Sequence, residues 1–381
     1  MFGSAATAVY STLYPARSIC SQVHSKEKHR FIVGTCGVNE QNQINVLEYK
    51  EDINAIELAA AYQHPHMVSV VESCFYDSSV IATAAMAVNG DKDIKLYRMA
   101  LQSIDNIENG TAINDKVDDL VELSNIPIWD EQLDIHSIKW NTLNENQLLL
   151  GGTNSIGIYN NETNTNMKLI SSIILDSNRA NATCVGGSAC WDPHAASNIA
   201  ATSHHSLFFI DSRKNECSNR VINAHDGVIR AADYNPNKPF TLVTAGDDRK
   251  IKFWDARNLT NPLNVLGGHS HWVWTAKYNP FHDQLLVSGG SDNIVNLWRI
   301  ASCSSAPWLS STTTDSQEAG PVTDGSDDPP DVKVRAIDSH EDSVYSVAWS
   351  PADAWLFCSL SFDGRVLLHN VPSTEKYKIL L

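Results

Sequence analysis

His225 to Trp254 reads HDGVIRAADYNPNKPFTLVTAGDDRKIKFW: three short runs rich in apolar and β-branched residues, parted by Asn235-Pro236 and by Gly246-Asp247-Asp248. Runs of that length closed by Gly, Asn, Asp or Pro are the punctuation of antiparallel strands. The same frame returns twice. His269 to Trp298 and His340 to His369 each span the same 29 residues, and Asp248, Asp292 and Asp363 each stand 23 residues after their histidine. Four residues before each aspartate is a hydroxyl: Thr244, Ser288 and Ser359. The first two units begin 44 residues apart, which is the period of a four-stranded propeller blade.

Working outward, runs such as RFIVGT, VIATAAM, QLLLGG and SLFFID extend the strand pattern toward the N-terminus, while a sustained 3.6-residue period is absent beyond a few turns near 51–62. Grouping the runs in fours puts blades at about residues 8, 67, 136, 183, 227, 272 and 343. The expectation is all-β: a single seven-bladed propeller over 1–381. Seven blades need roughly 300 residues, and two acidic insertions absorb the surplus. One lies at 102–135. The other, at 302–331, is rich in Ser, Thr, Asp and Pro and reads as a disordered loop. For the last outer strand, the terminal KYKILL is the expected source, with the N-terminal segment as the alternative.

The three C-terminal units resemble the WD-repeat family. The resemblance implies that His225, Thr244, Asp248 and Trp254, then His269, Ser288, Asp292 and Trp298, then His340, Ser359 and Asp363, form buried structural tetrads. The physical sense is that each buried polar group finds a partner inside the set. Hydroxyl, His and Asp also make a hydrolase triad, but a nucleophile occurs once per site and this set recurs three times at one spacing.

With 28 Lys+Arg against 44 Asp+Glu, the formal charge of −16 argues against direct nucleic-acid contact. Apolar residues at 43% and charged residues at 19% suit a globular chain with a large core. The eight cysteines form no C-x-x-C pair, and the histidine pairs at 64/66, 204/205 and 269/271 lack further ligands at metal-binding spacing. No phosphate-binding glycine loop or nucleophile elbow is present. The expectation is therefore a non-enzyme without catalytic, cofactor or metal residues. No apolar run approaches the ~18 residues of a membrane span, and the default compartment is the cytosol.

Partner binding is the function class left, and aromatic and Arg anchors concentrate interface energy. Alternation puts Trp272 and Trp274 on one side of a first strand near the propeller rim, with Arg230 and Tyr345 at the place of Trp274 in the neighbouring blades. Packing between blades is the competing use of these rings. Trp254, Asp255 and Arg257 form the W-D-x-R pattern, which in the WD-repeat family resembles the box that docks on a cullin-RING ligase adaptor; a local ion pair is the competing reading.

More specific strings narrow the resemblance: HSHWVW, YNPFHDQLLVSGGSD, HEDSVYSVAWSPADAWLFCSLSFDGR and KYKILL, with RFIVGT further upstream. These are similar to the family of WD-repeat proteins that interact with the EARP and GARP tethering complexes. The likeness is carried by 222–300 and 336–381, more thinly by 30–50, and hardly by 51–215. It implies a non-enzymatic adaptor for those multisubunit complexes on endosomes and the trans-Golgi network, serving endosomal recycling, retrograde transport and dense-core vesicle cargo sorting. Substrate reception for a cullin-RING ubiquitin ligase is the alternative.

Overall fold

The inner strands of this chain, such as Leu285–Gly290 and Val295–Ile300, are buried on both faces, so each sheet must be covered on both sides. Stacking sheets around a ring achieves this without a separate layer of helices. The computed structural model describes residues 8–23, 28–38, 41–100, 118–130, 133–163, 166–176, 186–306 and 331–380, and its strands form seven sheets, antiparallel but for one short edge pair, around a central channel. The protein is a seven-bladed β-propeller. From blade 1 to blade 7, the innermost strands are Ala16–Ser21, Met67–Ser73, Ile135–Trp140, Ala189–Asp192, Ile229–Tyr234, Val273–Tyr278 and Val344–Trp349. Each packs on the next, and the last packs on the first.

Second strands are the most enclosed: Thr241–Gly246, Leu285–Gly290 and Leu356–Ser361 are buried at every position. The core is accordingly divided into slabs between adjacent blades. Between blades 6 and 7, for example, Leu285, Val287 and Leu297 meet Val344, Val347, Trp349 and Phe357. Full burial of one such side chain contributes about 1.5–3 kcal/mol, so every blade depends on both neighbours.

Ring closure departs from the sequence expectation. Ala8–Ser11 is not the start of blade 1 but the outer strand of blade 7, antiparallel to Arg365–Asn370 with Val9 opposite Leu367 and Tyr10 opposite Val366. Blade 1 begins at Ala16. With that edge occupied, KYKILL has no ladder to join, and Ser373–Leu380 forms a helix (α1) instead. Glu375 in its first turn and Lys378 in its last suit the helix dipole. The Glu375 carboxylate reaches the buried Arg299 guanidinium at 3.2 Å, the Lys376 ammonium lies over the Trp355 ring, and Ile379 packs on the slab between blades 6 and 7.

The first described strand of blade 4 is Ala189–Asp192, and residue 183 lies outside the described residues. Of the 102–135 insertion, 102–117 and 131–132 lie outside the described residues, but 118–119 and 121–125 are strand rather than loop. Asp118–Asp119 pairs in parallel with Tyr62 and Gln63 on the edge of blade 1, and Val121–Asn125 is the outer strand of blade 2. Within 302–331, residues 307–330 lie outside the described residues. Their flanks are fastened: the Ser302 amide donates to Asp331 at 3.0 Å, and the Ser305 hydroxyl to Asp283 at 2.9 Å. Among the described residues no helix is long and apolar enough to cross a membrane.

Candidate protein-interaction site

Trp254 Nε1–H can only donate, which fixes the direction of the network in blade 5. It donates to Thr244 Oγ1 at 2.8 Å, Thr244 donates to His225 Nε2 at 2.7 Å, and His225 Nδ1–H donates to the Asp248 carboxylate at 2.9 Å. Burial pushes the His225 imidazole below its usual pKa, partly offset by Asp248. Burial pushes Asp248 the other way, but the hydrogen bond and charge of His225 hold its carboxyl below the usual range. Blade 6 repeats the chain through Trp298, Ser288, His269 and Asp292 at 2.9, 2.8 and 3.0 Å.

Blade 7 differs. His340 Nε2 meets Ser359 Oγ at 2.6 Å, but its Nδ1 meets Ser361 Oγ at 2.8 Å, and Ser361 in turn donates to Asp363. The expected direct contact between His340 and Asp363 is therefore replaced by a chain one residue longer. His369 takes the Trp place, 2.8 Å from Ser359. Blade 2 holds a remnant that the sequence reading passed over: His64 Nε2 lies 3.3 Å from Thr83 Oγ1, with the Tyr97 ring edge-on at 5.5 Å. The signal was available, since His64 to Thr83 has the spacing of His225 to Thr244. Asp91, the aspartate of that repeat, bonds to exposed Asn89 and not to His64.

The rim is built by a repeated backbone device. In six of the seven first strands the register against the second strand slips by one residue, and the extra residues are Arg17, Ser69, His136, Arg230, Trp274 and Tyr345. A β-bulge re-aims its side chain, and here all six line the same cavity of about 720 Å³ at the mouth of the channel. The four residues singled out from sequence come together there. Trp274 packs at a tilt against Tyr345, 4.6 Å between centroids, and meets Trp272 edge-on at 6.0 Å. Arg230 lies over both tryptophans, at 4.5 Å from Trp274 and 5.4 Å from Trp272, and its guanidinium is clamped by both oxygens of Asp247 at 2.7 Å. Trp274 Nε1–H donates to Ser291. Trp272 remains 41% exposed. The sequence reading missed Arg17 and Phe362, which continue the cluster: Arg17 sits 5.0 Å from the Tyr345 centroid and 5.3 Å from that of Phe362.

Below the rim, Cys20, Glu72, Lys139, Asp233 and Lys277 line a further cavity of about 630 Å³ along the channel. Lys139 pairs with Glu72 at 2.8 Å, and Asp233 accepts the Tyr278 amide at 3.0 Å across the blade boundary. Such bonds satisfy inner-edge amides that no fifth strand covers: the Val71 and Ala189 amides likewise donate to Ser18 and Ser137 of the preceding blades. Burial raises the Asp233 carboxyl to about 6 and the Cys20 thiol to about 12, so that thiol is not activated. Among the described residues no group of three or more His, Cys, Asp or Glu is placed to hold a metal ion.

On the opposite face, beyond the end of the blade 5 third strand, Arg257 forms a bidentate pair with Asp255 at 2.9 and 2.7 Å and lies 4.9 Å from the Phe240 centroid. Arg213 and Asp211 repeat the pairing in blade 4. Trp254 is enclosed in its network and 3% exposed.

This architecture can be set beside known proteins. A family profile described as EIPR1 beta-propeller matches residues 4–298. The chain belongs to the EIPR1 beta-propeller family. The match runs through 51–215, where the sequence alone showed little likeness, and a profile for the WD domain, G-beta repeat, covers 332–370. The chain is 30% identical to the EARP and GARP complex-interacting protein 1 of Rattus norvegicus and 29% identical to that of Homo sapiens, each alignment covering 99% of both chains. It is also 27% identical to the WD repeat-containing protein DWA2 of Arabidopsis thaliana over 97% of this chain and 98% of that protein. The matching families are WD-repeat propellers, and the EIPR1 family's named relatives are described as interacting proteins.

Proposed function

We propose that this propeller is a non-enzymatic adaptor that binds the EARP and GARP tethering complexes on endosomes and the trans-Golgi network and so promotes endosomal recycling, retrograde transport and dense-core vesicle cargo sorting. The observation that carries the reading is the Arg-aromatic rim around the channel mouth, where exposed Trp272 lies beside half-buried Trp274, with Arg230 and Tyr345 on either side. Rings already packed together and a guanidinium already clamped lose little freedom on binding, which favours a preorganised contact surface. The names of the full-length relatives support the choice of partner.

The test is capture of purified EARP and GARP complexes on the immobilised protein, with a Trp272→Ala, Trp274→Ala double variant checked for native circular dichroism. The wild type is expected to retain both complexes and the folded double variant to lose most of the signal. Undiminished capture by that variant removes the rim from the reading; no capture by the wild type removes the adaptor. The ligase-adaptor alternative needs loss of adaptor binding on Arg257→Ala with the fold intact. Against it stands the geometry of Arg257, whose donors are already directed at Asp255.

A further inference from the structure

Four aromatic faces gather at the rim, an arrangement that elsewhere cages cationic ligands. Here those faces carry the protein's own cations: Arg230 covers Trp272 and Trp274, and Arg17 covers Tyr345 and Phe362. A ligand cation would have to displace a guanidinium from each. The two arginines are not equivalent. Arg230 is neutralised by a bidentate carboxylate, Asp247. Arg17 is exposed, lines the mouth cavity, and among the described residues has no carboxylate partner.

We infer that the mouth recognises an acidic segment of a protein partner, in which an Asp or Glu carboxylate pairs with the Arg17 guanidinium while a neighbouring apolar side chain rests on Trp272. The inference rests on the adaptor reading above and adds the chemistry of the contact. A planar guanidinium held over two rings offers its donors edge-on, the geometry that a carboxylate meets bidentately. Carboxylate is favoured over phosphate because one unpaired guanidinium matches a single negative charge, whereas a phosphate monoester at neutral pH carries nearly two. In a chain of net charge −16, a ring-backed cation at the mouth with no carboxylate partner among the described residues also marks a place where an acidic partner gains attraction instead of repulsion. The cavity of about 720 Å³ has room for a few side chains.

The experiment uses the full chain and purified EARP and GARP complexes. In Arg17→Lys the introduced amine can be joined by a carbodiimide to a carboxylate in direct contact with it, and the joined peptides are read by mass spectrometry. The expected result is a link from position 17 to an Asp or Glu of a tethering subunit. Arg17→Met, which keeps an apolar stem but no charge, is expected to weaken binding about tenfold to a hundredfold and to flatten its salt dependence. Unchanged affinity and salt dependence in Arg17→Met, with no link to a partner carboxylate, overturn the inference while leaving the rim reading intact. Loss of wild-type binding after phosphatase treatment of the complexes overturns it in favour of a phosphorylated segment. Absence of wild-type binding to untreated complexes fails the adaptor reading itself, and the inference falls with it.

Discussion

In blade 6 the imidazole of His269 donates directly to Asp292, whereas in blade 7 that of His340 donates to Ser361, which passes the bond to Asp363. One position accounts for the difference. Twenty-one residues after the histidine, blade 6 has Gly290 and blade 7 has Ser361. A Cβ at Gly290 would stand 2.9 Å from His269 Nδ1 and 2.8 Å from an Asp292 oxygen, in the gap where the two meet. Blade 7 fills that gap with a hydroxyl and leaves Asp363 exposed. What the pair of blades teaches is that the motif conserves an unbroken line of donors and acceptors rather than a set of residue types.

The largest way to break the comparison is at the edge of blade 7, which borrows its outer strand from the far end of the chain. Removing residues 1–11 is expected to lower the melting temperature by about 10 °C or more, and an unchanged melting curve would mean that the ring does not depend on this closure. Next comes the Trp place. Trp298→Ala removes a buried ring and a donor and is expected to cost about 3–5 kcal/mol by urea unfolding, against about 1–3 kcal/mol for His369→Ala in blade 7. Equal losses would contradict the view that blade 7 relies less on that position.

Acid separates the blades differently. Burial pushes His340 down to about 4 and His369 to about 3, while an unfolded imidazole titrates near 6.5. Between those values the unfolded chain binds protons that the folded blade refuses. The stability is therefore fully present above about pH 6.5 and is lost as pH falls toward 4, at about 1.4 kcal/mol per pH unit for each histidine. His369→Phe is expected to shallow that slope in a pH series of unfolding curves; an unaltered slope would place the acid sensitivity elsewhere. Smaller effects test the single-residue explanation. Gly290→Ser is expected to cost about 1–3 kcal/mol by parting His269 from Asp292, while Asp363→Ala, at an exposed site, stays within about 0.5 kcal/mol. If Gly290→Ser is neutral in unfolding experiments, the glycine is not what distinguishes the blades.

Legibility was uneven along the chain for physical reasons. The complete networks of blades 5 and 6 require their residue types at fixed spacing, so Trp254, Asp248, Trp298 and Asp292 could be assigned from the sequence. Blade 2 keeps His64 and Thr83 but puts a tyrosine at the Trp place after a longer hairpin, which moves Tyr97 out of the expected spacing. Arg17 is hard to assign from sequence because the strand-like Ala8–Ser11 mimics the start of blade 1; with Ala16 as the start, it falls on the same bulge position as Arg230, Trp274 and Tyr345.

The sequence by itself determined the seven-blade count, the all-β class, the tetrads of blades 5 and 6 and four residues of the rim, because each rests on spacing within one blade and local spacing is written along the chain. Tertiary structure alone decided which end closes the ring, where Arg17 and Phe362 join the rim, and how Ser361 enters the blade 7 network. Those outcomes depend on groups far apart in sequence competing for one edge or one gap. Ala8–Ser11 and KYKILL both had strand-like patterning, but blade 7 has a single outer edge, and the segment left without a ladder folded its backbone bonds into a helix held by Arg299.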